Sequence, residues 1–244
     1  MASGNIQENL ARVRERIAGA AARAGRRADD ITLIAVSKTH PPESIREAYE
    51  AGIRRFGENR VQEWEGKRGA LADLKATWHL IGHLQSNKAI KAASLFDAVD
   101  SVDTVALAER LNRAREMQPS AVKLRVLIEV SVAREETKSG ADAADVPELA
   151  RAISQMPCLE LAGLMCIPPF LEDAGKVRPY FRKLRELKDA AAKYAGVALP
   201  VLSMGMSHDF EVAIEEGATE VRVGTALFGA RETKPQTASE KDVG

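Results

Sequence analysis

The chain has 244 residues, 45% of them hydrophobic, and its 35 basic residues balance 35 acidic ones. That length and apolar content suit one large domain or two small ones. Zero net charge excludes a global field toward nucleic acid or an anionic membrane, so neither is expected as a partner. The two cysteines, Cys158 and Cys166, imply no disulfide framework and fit a reducing cytosol. The N-terminus, MASGNIQENLARVRERIAG, has charges throughout and no apolar signal-peptide core. A cytoplasmic protein is expected.

Residues Asn5–Ala24 read as an amphipathic helix, with Ile6, Leu10, Val13, Ile17, Ala20 and Ala24 at three- and four-residue steps. Asn5 and Glu8 resemble a capping box, and Gly25 is placed to stop the helix. Short strands follow at Ile31–Lys38, Arg54–Glu58, Thr77–Gly82, Phe96–Ser101, Leu124–Ser131, Leu159–Ile167, Val201–Gly205 and Glu220–Gly229. Helical patterns lie between them at Pro42–Ala51, Arg60–Leu74, Asn87–Ala93, Thr104–Met117, Ala144–Gln155, Lys176–Tyr194 and Ser207–Glu216. Regular alternation implies a parallel sheet with crossover helices. Eight units in roughly 200–250 residues is the size of a (β/α)8 TIM barrel. A doubly wound open sheet is the alternative, but no GxGxxG or GxxxxGK[ST] follows the first strand. The segment after Arg231, ETKPQTASEKDVG, reads as a polar, disordered tail. The expected organisation is therefore one barrel over residues 1–231 and a tail over 232–244.

Lys38 closes the apolar run ITLIAVSKT, and His40-Pro41-Pro42 breaks the strand after it. A barrel gathers its chemistry at the C-terminal strand ends, and a lysine whose pKa is lowered by burial forms Schiff bases. The plain alternative is a lysine that snorkels outward. Phosphates in barrels bind in the loops after strands seven and eight. There the chain has Met204-Gly205-Met206-Ser207 and Gly224-Thr225. Taken singly, Ser207 reads as an N-cap and Gly224 as a packing glycine; together they favour phosphate. Arg222 lies between Val221 and Val223, so period-two alternation turns it into the barrel if the valines face the helices. A charge there needs a ligand or an ion-pair partner, for which Glu129 is a candidate. His79 and His83 are four apart across a strand end without a third convergent ligand, so a metal site is not expected. Glu135, Glu136 and Lys138 form a charged loop, either solvated or a lid over the mouth. A reactive lysine, a phosphate cradle and an inward arginine describe a phosphate-bearing aldehyde held as an imine, of which pyridoxal 5′-phosphate (PLP) is the obvious case.

The segments VSKTHP, FGENRVQE, WHLIGHLQSNK, EETKSG, GLMCIPP and LSMGMSHDFEVAIEEGATEVRVGTALFG resemble the YggS/PROSC family of PLP homeostasis proteins, from about residue 5 to about residue 231. The resemblance implies a single barrel of the fold-type III PLP-binding class, similar to the N-terminal domain of alanine racemase. It matches Lys38 to the Schiff-base lysine, and Ser207, Gly224 and Thr225 to the phosphate-binding positions. Arg222 matches the arginine facing the pyridine nitrogen, and Asn59 the asparagine near the cofactor. Ser131, Arg134 and Cys166 depart from the family pattern, where asparagine, glycine and threonine are usual; the departures bear on the mouth of the barrel.

A guanidinium stays charged and leaves the pyridine nitrogen unprotonated. The resemblance implies that alanine racemase works with this arrangement through a tyrosine from its second domain. Tyr49, Tyr180 and Tyr194 all fall in predicted outer helices here, although His83 or Lys138 could take the acid/base role. The expectation is a non-catalytic carrier that buffers PLP or delivers it to PLP-dependent apo-enzymes, as a monomer or weak dimer. The alternatives are a small amino-acid racemase or decarboxylase on the same site, and a cofactor-free Schiff-base aldolase using Lys38.

Overall fold

The computed structural model describes residues 5–118, 122–133 and 139–229. Strands β1 (Thr32–Val36), β2 (Arg55–Glu58), β3 (Thr77–Leu80), β4 (Ala98–Val102), β5 (Leu124–Glu129), β6 (Leu159–Met165), β7 (Val201–Ser203) and β8 (Glu220–Val223) close into one barrel in chain order. Every neighbouring pair is parallel, including β8 with β1. The helices are α1 (Ile6–Arg23), α2 (Pro42–Glu50), α3 (Val61–Lys67), α4 (Ala89–Leu95), α5 (Val105–Glu116), α6 (Val146–Ser154), α7 (Arg178–Ala195), α8 (Phe210–Glu215) and the one-turn α9 (Thr225–Phe228). Among the described residues no helix is long and apolar enough to cross a membrane. The tail after Arg231, and Arg134, Glu135, Glu136 and Lys138 in the charged loop, lie outside the described residues.

The extra helix at the N-terminus has a structural task. Among the described residues β8 is followed by the single turn α9, and α1 takes the place of an eighth outer helix, packing against α8, α9 and α2. Its buried stripe of Ile6, Leu10, Val13, Ile17, Ala20 and Ala21 joins the main core. Asn9 Nδ2 donates to the Leu227 carbonyl at 2.8 Å, tying α1 to α9. Asn5 caps α1 by accepting from the Gln7 N–H. At the other end Gly25, at φ +66°, lets Arg26 N–H reach the Ala21 carbonyl (2.8 Å) and Gly25 N–H the Ala22 carbonyl (3.0 Å). That Schellman pair is why the helix stops there.

Several boundaries differ from the sequence expectation. The expected eighth strand to Gly229 ends at Val223, and Thr225 instead opens α9, its turn closed by Leu227 and Phe228 N–H groups on the Gly224 carbonyl. The helix expected from Ser207 starts at Phe210, because Asp209 folds back to accept the Met206 N–H (2.6 Å) and keeps residues 206–209 in a turn. The helix expected over Arg60–Leu74 is α3 followed by a 3-10 turn at Arg68–Leu71.

The outward strand residues, such as Ala35, Phe56, Val221 and Val223, meet the helices in the main core. The interior is strongly polar. Arg125 donates to Glu220 Oε1 at 2.7 Å and lies 3.5 Å from Asp100 Oδ1. His79 Nδ1 is 3.0 Å from Asp100 Oδ2, so this histidine is a buried structural partner rather than one of a pair with His83. Burial opposes charge on Asp100, but His79, Arg125 and Arg222 outweigh it and hold the carboxyl below its ordinary value. Removing one member of such a buried set leaves the others uncompensated. Asp100→Ala is therefore expected to lower the unfolding free energy by about 3–5 kcal/mol in urea denaturation; a loss under about 1 kcal/mol would show that the interior charges are not coupled.

Candidate functional site

Lys38 lies in the turn just past β1, two residues beyond Val36, and is half-buried. Register fixes its neighbours. Val36 pairs with Gly57 on one side, so Asn59 lies beside Lys38 at the same level. Ala35 pairs with Val223 on the other side, which brings Gly224 and α9 alongside. Arg222 pairs with Ile34 and sits deeper on the same wall.

The residues around Lys38 are held from several directions. Ser37 Oγ donates to Glu58 Oε1 at 2.6 Å, and Lys67 Nζ donates to the Ser37 carbonyl at 3.1 Å and to both Glu58 oxygens at 3.2 Å. Lys67 also pairs with Glu63 at 2.6 Å, and Glu63 accepts the Thr39 N–H. Thr39 has φ +67°, the only non-glycine residue with positive φ among those described. A β-branched side chain is strained there, and the bond to Glu63 helps hold the strain in place. His40 N–H returns to the Ser37 carbonyl (3.1 Å), and the His40 ring stacks on Phe228 of α9 at 4.5 Å. Burial pushes the Glu58 carboxyl up, although Ser37 and Lys67 oppose it. On Glu63 burial acts the same way, but Lys67 and the Thr39 N–H prevail and hold it below the usual range.

Arg222 is buried, and its Nη1 donates to Ser203 Oγ at 2.7 Å while Nη2 donates to the Cys166 carbonyl at 2.8 Å. Neither acceptor is charged, and Glu129 is not its ion-pair partner; no carboxylate pairs with Arg222 among the described residues. Two of the five guanidinium N–H groups thus go to neutral oxygens. Ser203 escaped notice as a sequence position, yet it shares inward parity with Arg222 through its neighbour Glu220, with which it is in register. The Cys166 thiol packs in the main core and is pushed up to about 12 by burial.

The loop after β7 and the end of β8 do come together. Ser207 Oγ accepts the Ala226 N–H at 3.2 Å, so this serine serves the first turn of α9 and is not the cap of α8. Thr225 is exposed on the same turn, whose first N–H groups have no intrahelical acceptor. Gly205 stands at φ +93°, and a Cβ there would lie 2.6 Å from Ala213 Cβ, so only glycine lets this loop lie on α8. Asn59 lines a cleft of about 440 Å³ with Arg60, Gln62, His83, Gln85 and Lys88. Ser131 Oγ donates to the Ala133 carbonyl at 2.9 Å. The three tyrosines lie in α2 and α7. No cluster of three metal-ligating side chains occurs among the described residues.

A family model for the alanine racemase N-terminal domain matches residues 3–232. The chain is 51% identical over 231 residues to the pyridoxal phosphate homeostasis protein of Aquifex aeolicus, covering 93% of this chain and 99% of that one. The chain belongs to the pyridoxal phosphate homeostasis protein family. PipY of Synechococcus elongatus PCC7942, solved with PLP bound, is 42% identical and superposes with a TM-score of 0.82, covering 92% of this chain and 100% of that chain. An alanine racemase of Clostridium difficile 630 shares the fold at 16% identity and a TM-score of 0.67; 94% of this chain covers 57% of that enzyme.

Two expectations test the geometry. Thr39→Gly removes the strained Cβ while keeping the N–H to Glu63, and should raise the unfolding free energy by about 1 kcal/mol; a drop would mean that Thr39 makes contacts worth more than its strain. In the folded protein a maleimide should label Cys158, which is half-buried, and spare Cys166, whose thiol stays protonated and enclosed. Equal labelling by mass spectrometry would contradict this burial.

Proposed function

We propose that the chain is a PLP carrier, holding the cofactor as a Schiff base on Lys38 and buffering it or delivering it to PLP-dependent apo-enzymes. Bound there, PLP supplies an electrophilic aldehyde carbon. The observation that carries this reading is Arg222: a buried guanidinium whose hydrogen bonds, to Ser203 Oγ and the Cys166 carbonyl, both go to neutral acceptors. A buried charge without a carboxylate is costly unless a ligand meets it, and a pyridine nitrogen is an acceptor suited to a guanidinium N–H. A guanidinium donates without giving up its proton. Ser207, Gly224 and Thr225 form the end of the cradle where backbone N–H groups suit a phosphate. Lys38 supplies the amine, with Asn59 beside it. PLP bound by PipY in the same fold, at 42% identity, supports the assignment.

A carrier rather than an enzyme fits the absence of a tyrosine from the strand ends and the name borne by the curated relatives. His83 is exposed, 3.8 Å from Asp103. The proposal includes one cofactor domain over residues 1–231, a monomer or weak dimer, and a cytoplasmic location.

Loaded protein should be yellow and should not exchange the α-proton of D- or L-amino acids into solvent at enzyme-like rates; rapid exchange across such a panel would make it a racemase. Arg222→Ala should shift the absorbance and weaken retention by about tenfold or more. Ser203→Ala, which removes only one acceptor of the guanidinium, should produce a smaller shift in the same direction. Unchanged spectra and affinity in Arg222→Ala would assign this arginine to the scaffold alone.

A further inference from the structure

Glu129 ends β5 with its side chain turned into the barrel, in register with Met165. It is 5% exposed. Ser139 Oγ donates to Oε1 at 3.0 Å, and Ala141 N–H donates to the backbone carbonyl at 2.8 Å, so the residue is fixed in place. Oε2 is equally buried and has no hydrogen-bond partner among the described residues. A buried carboxylate oxygen left unmet is expensive, so its position implies a donor that arrives from outside.

The location says which donor. In a closed eight-strand barrel β1 and β5 lie on opposite walls, so Glu129 faces the wall that carries Lys38, Arg222 and Gly224. Burial pushes its carboxyl up; Asp103 adds to this, while Ser139, Arg222 and His83 oppose it, so Glu129 and Arg222 share one chamber. A cofactor whose ring nitrogen meets Arg222 otherwise offers acceptors to its surroundings, a phenolic oxygen and a phosphate. Those do not satisfy a carboxylate. An ammonium group does, through a charge-assisted hydrogen bond.

We propose that Glu129 is the docking carboxylate and proton acceptor for a primary amine, of the amino-acid or lysine-side-chain class, that displaces Lys38 and so unloads the carrier. This inference rests on the Lys38 tether proposed above. The amine arrives as R–NH3+ and passes one proton to Glu129 Oε2. Its nitrogen then bonds to the imine carbon, the bond from that carbon to Lys38 Nζ breaks, and Lys38 leaves as an amine that takes the proton back. One imine replaces another, with no change of oxidation state and no further reactant. Ser139 keeps Oε1 occupied, so that Oε2 is the oxygen offered. A carboxyl that burial raises above its ordinary value is a better proton acceptor than a solvated one.

The test uses the full chain loaded with PLP and follows release by absorbance in stopped flow, with methylamine and L-alanine as probes. Wild-type release should rise with amine concentration and saturate. In Glu129→Gln the ratio of amine-driven to spontaneous release should fall about 100-fold. A second readout uses ligand-free protein carrying 13C-carboxyl glutamate. The Glu129 resonance, identified by its disappearance in Glu129→Gln, should shift on adding methylamine. A loaded Glu129→Gln protein with the wild-type ratio, or a Glu129 resonance indifferent to methylamine, overturns the proposal while the tether stands. Wild-type protein that never acquires the imine absorbance would overturn the tether and this proposal together.

Discussion

The ammonium of Lys67 holds the site together. Its side chain, only 12% exposed, reaches back from α3 to both oxygens of Glu58, to Glu63 and to the Ser37 carbonyl. Through these it fixes Ser37 and, by way of Glu63, the strained Thr39, so the residue between them has little backbone freedom. A flexible lysine would lose entropy on capturing an aldehyde. Here much of the backbone share of that cost has already been met in folding. The clamp draws on β2 and α3, the stacking of His40 on Phe228 adds α9, and α9 is in turn tied to α1 through Asn9. The turn that carries Lys38 therefore depends on the first and the last of the described helices.

Below that turn the barrel is filled by charge more than by hydrocarbon. Arg125, Glu220, Asp100 and His79 satisfy one another in part, whereas Arg222 has only a hydroxyl and a carbonyl. Positive potential is thus left at one place on the wall shared by β1 and β8. That asymmetry is what a ring nitrogen and a phosphate can use. The same imbalance of the opposite sign occurs at Glu129 on the facing wall. The proposed tether and unloading would both draw on a polar interior that does not close on itself.

The barrel was legible because each strand–helix unit punctuates the sequence, and Arg222 could be aimed inward because Val221 and Val223 fix the parity of β8. Lys38 could be placed at a strand end for the same reason. The clamp could not be read: Ser37, Glu58, Glu63 and Lys67 meet only through the register of β1 with β2 and the return of α3. Thr39 gives no local sign of a left-handed backbone, a conformation in which glycine or asparagine would be looked for. Ser207, which taken singly reads as a helix cap, does not cap α8, because Asp209, two residues on, takes the Met206 N–H and delays the helix. His79 invited a pairing with His83 along the chain, while its partner Asp100 comes from the adjacent strand. The clamp and the His79–Asp100 pair are side-chain contacts across elements, which local pattern does not encode.

The account turns on Lys38 as the attachment point presented by this clamp. Borohydride reduction of the PLP-loaded protein, followed by peptide mapping, tests it most directly. The account predicts a single reduced pyridoxyl adduct, on the peptide carrying Lys38; an adduct on another lysine, with Lys38 unmodified, would contradict it.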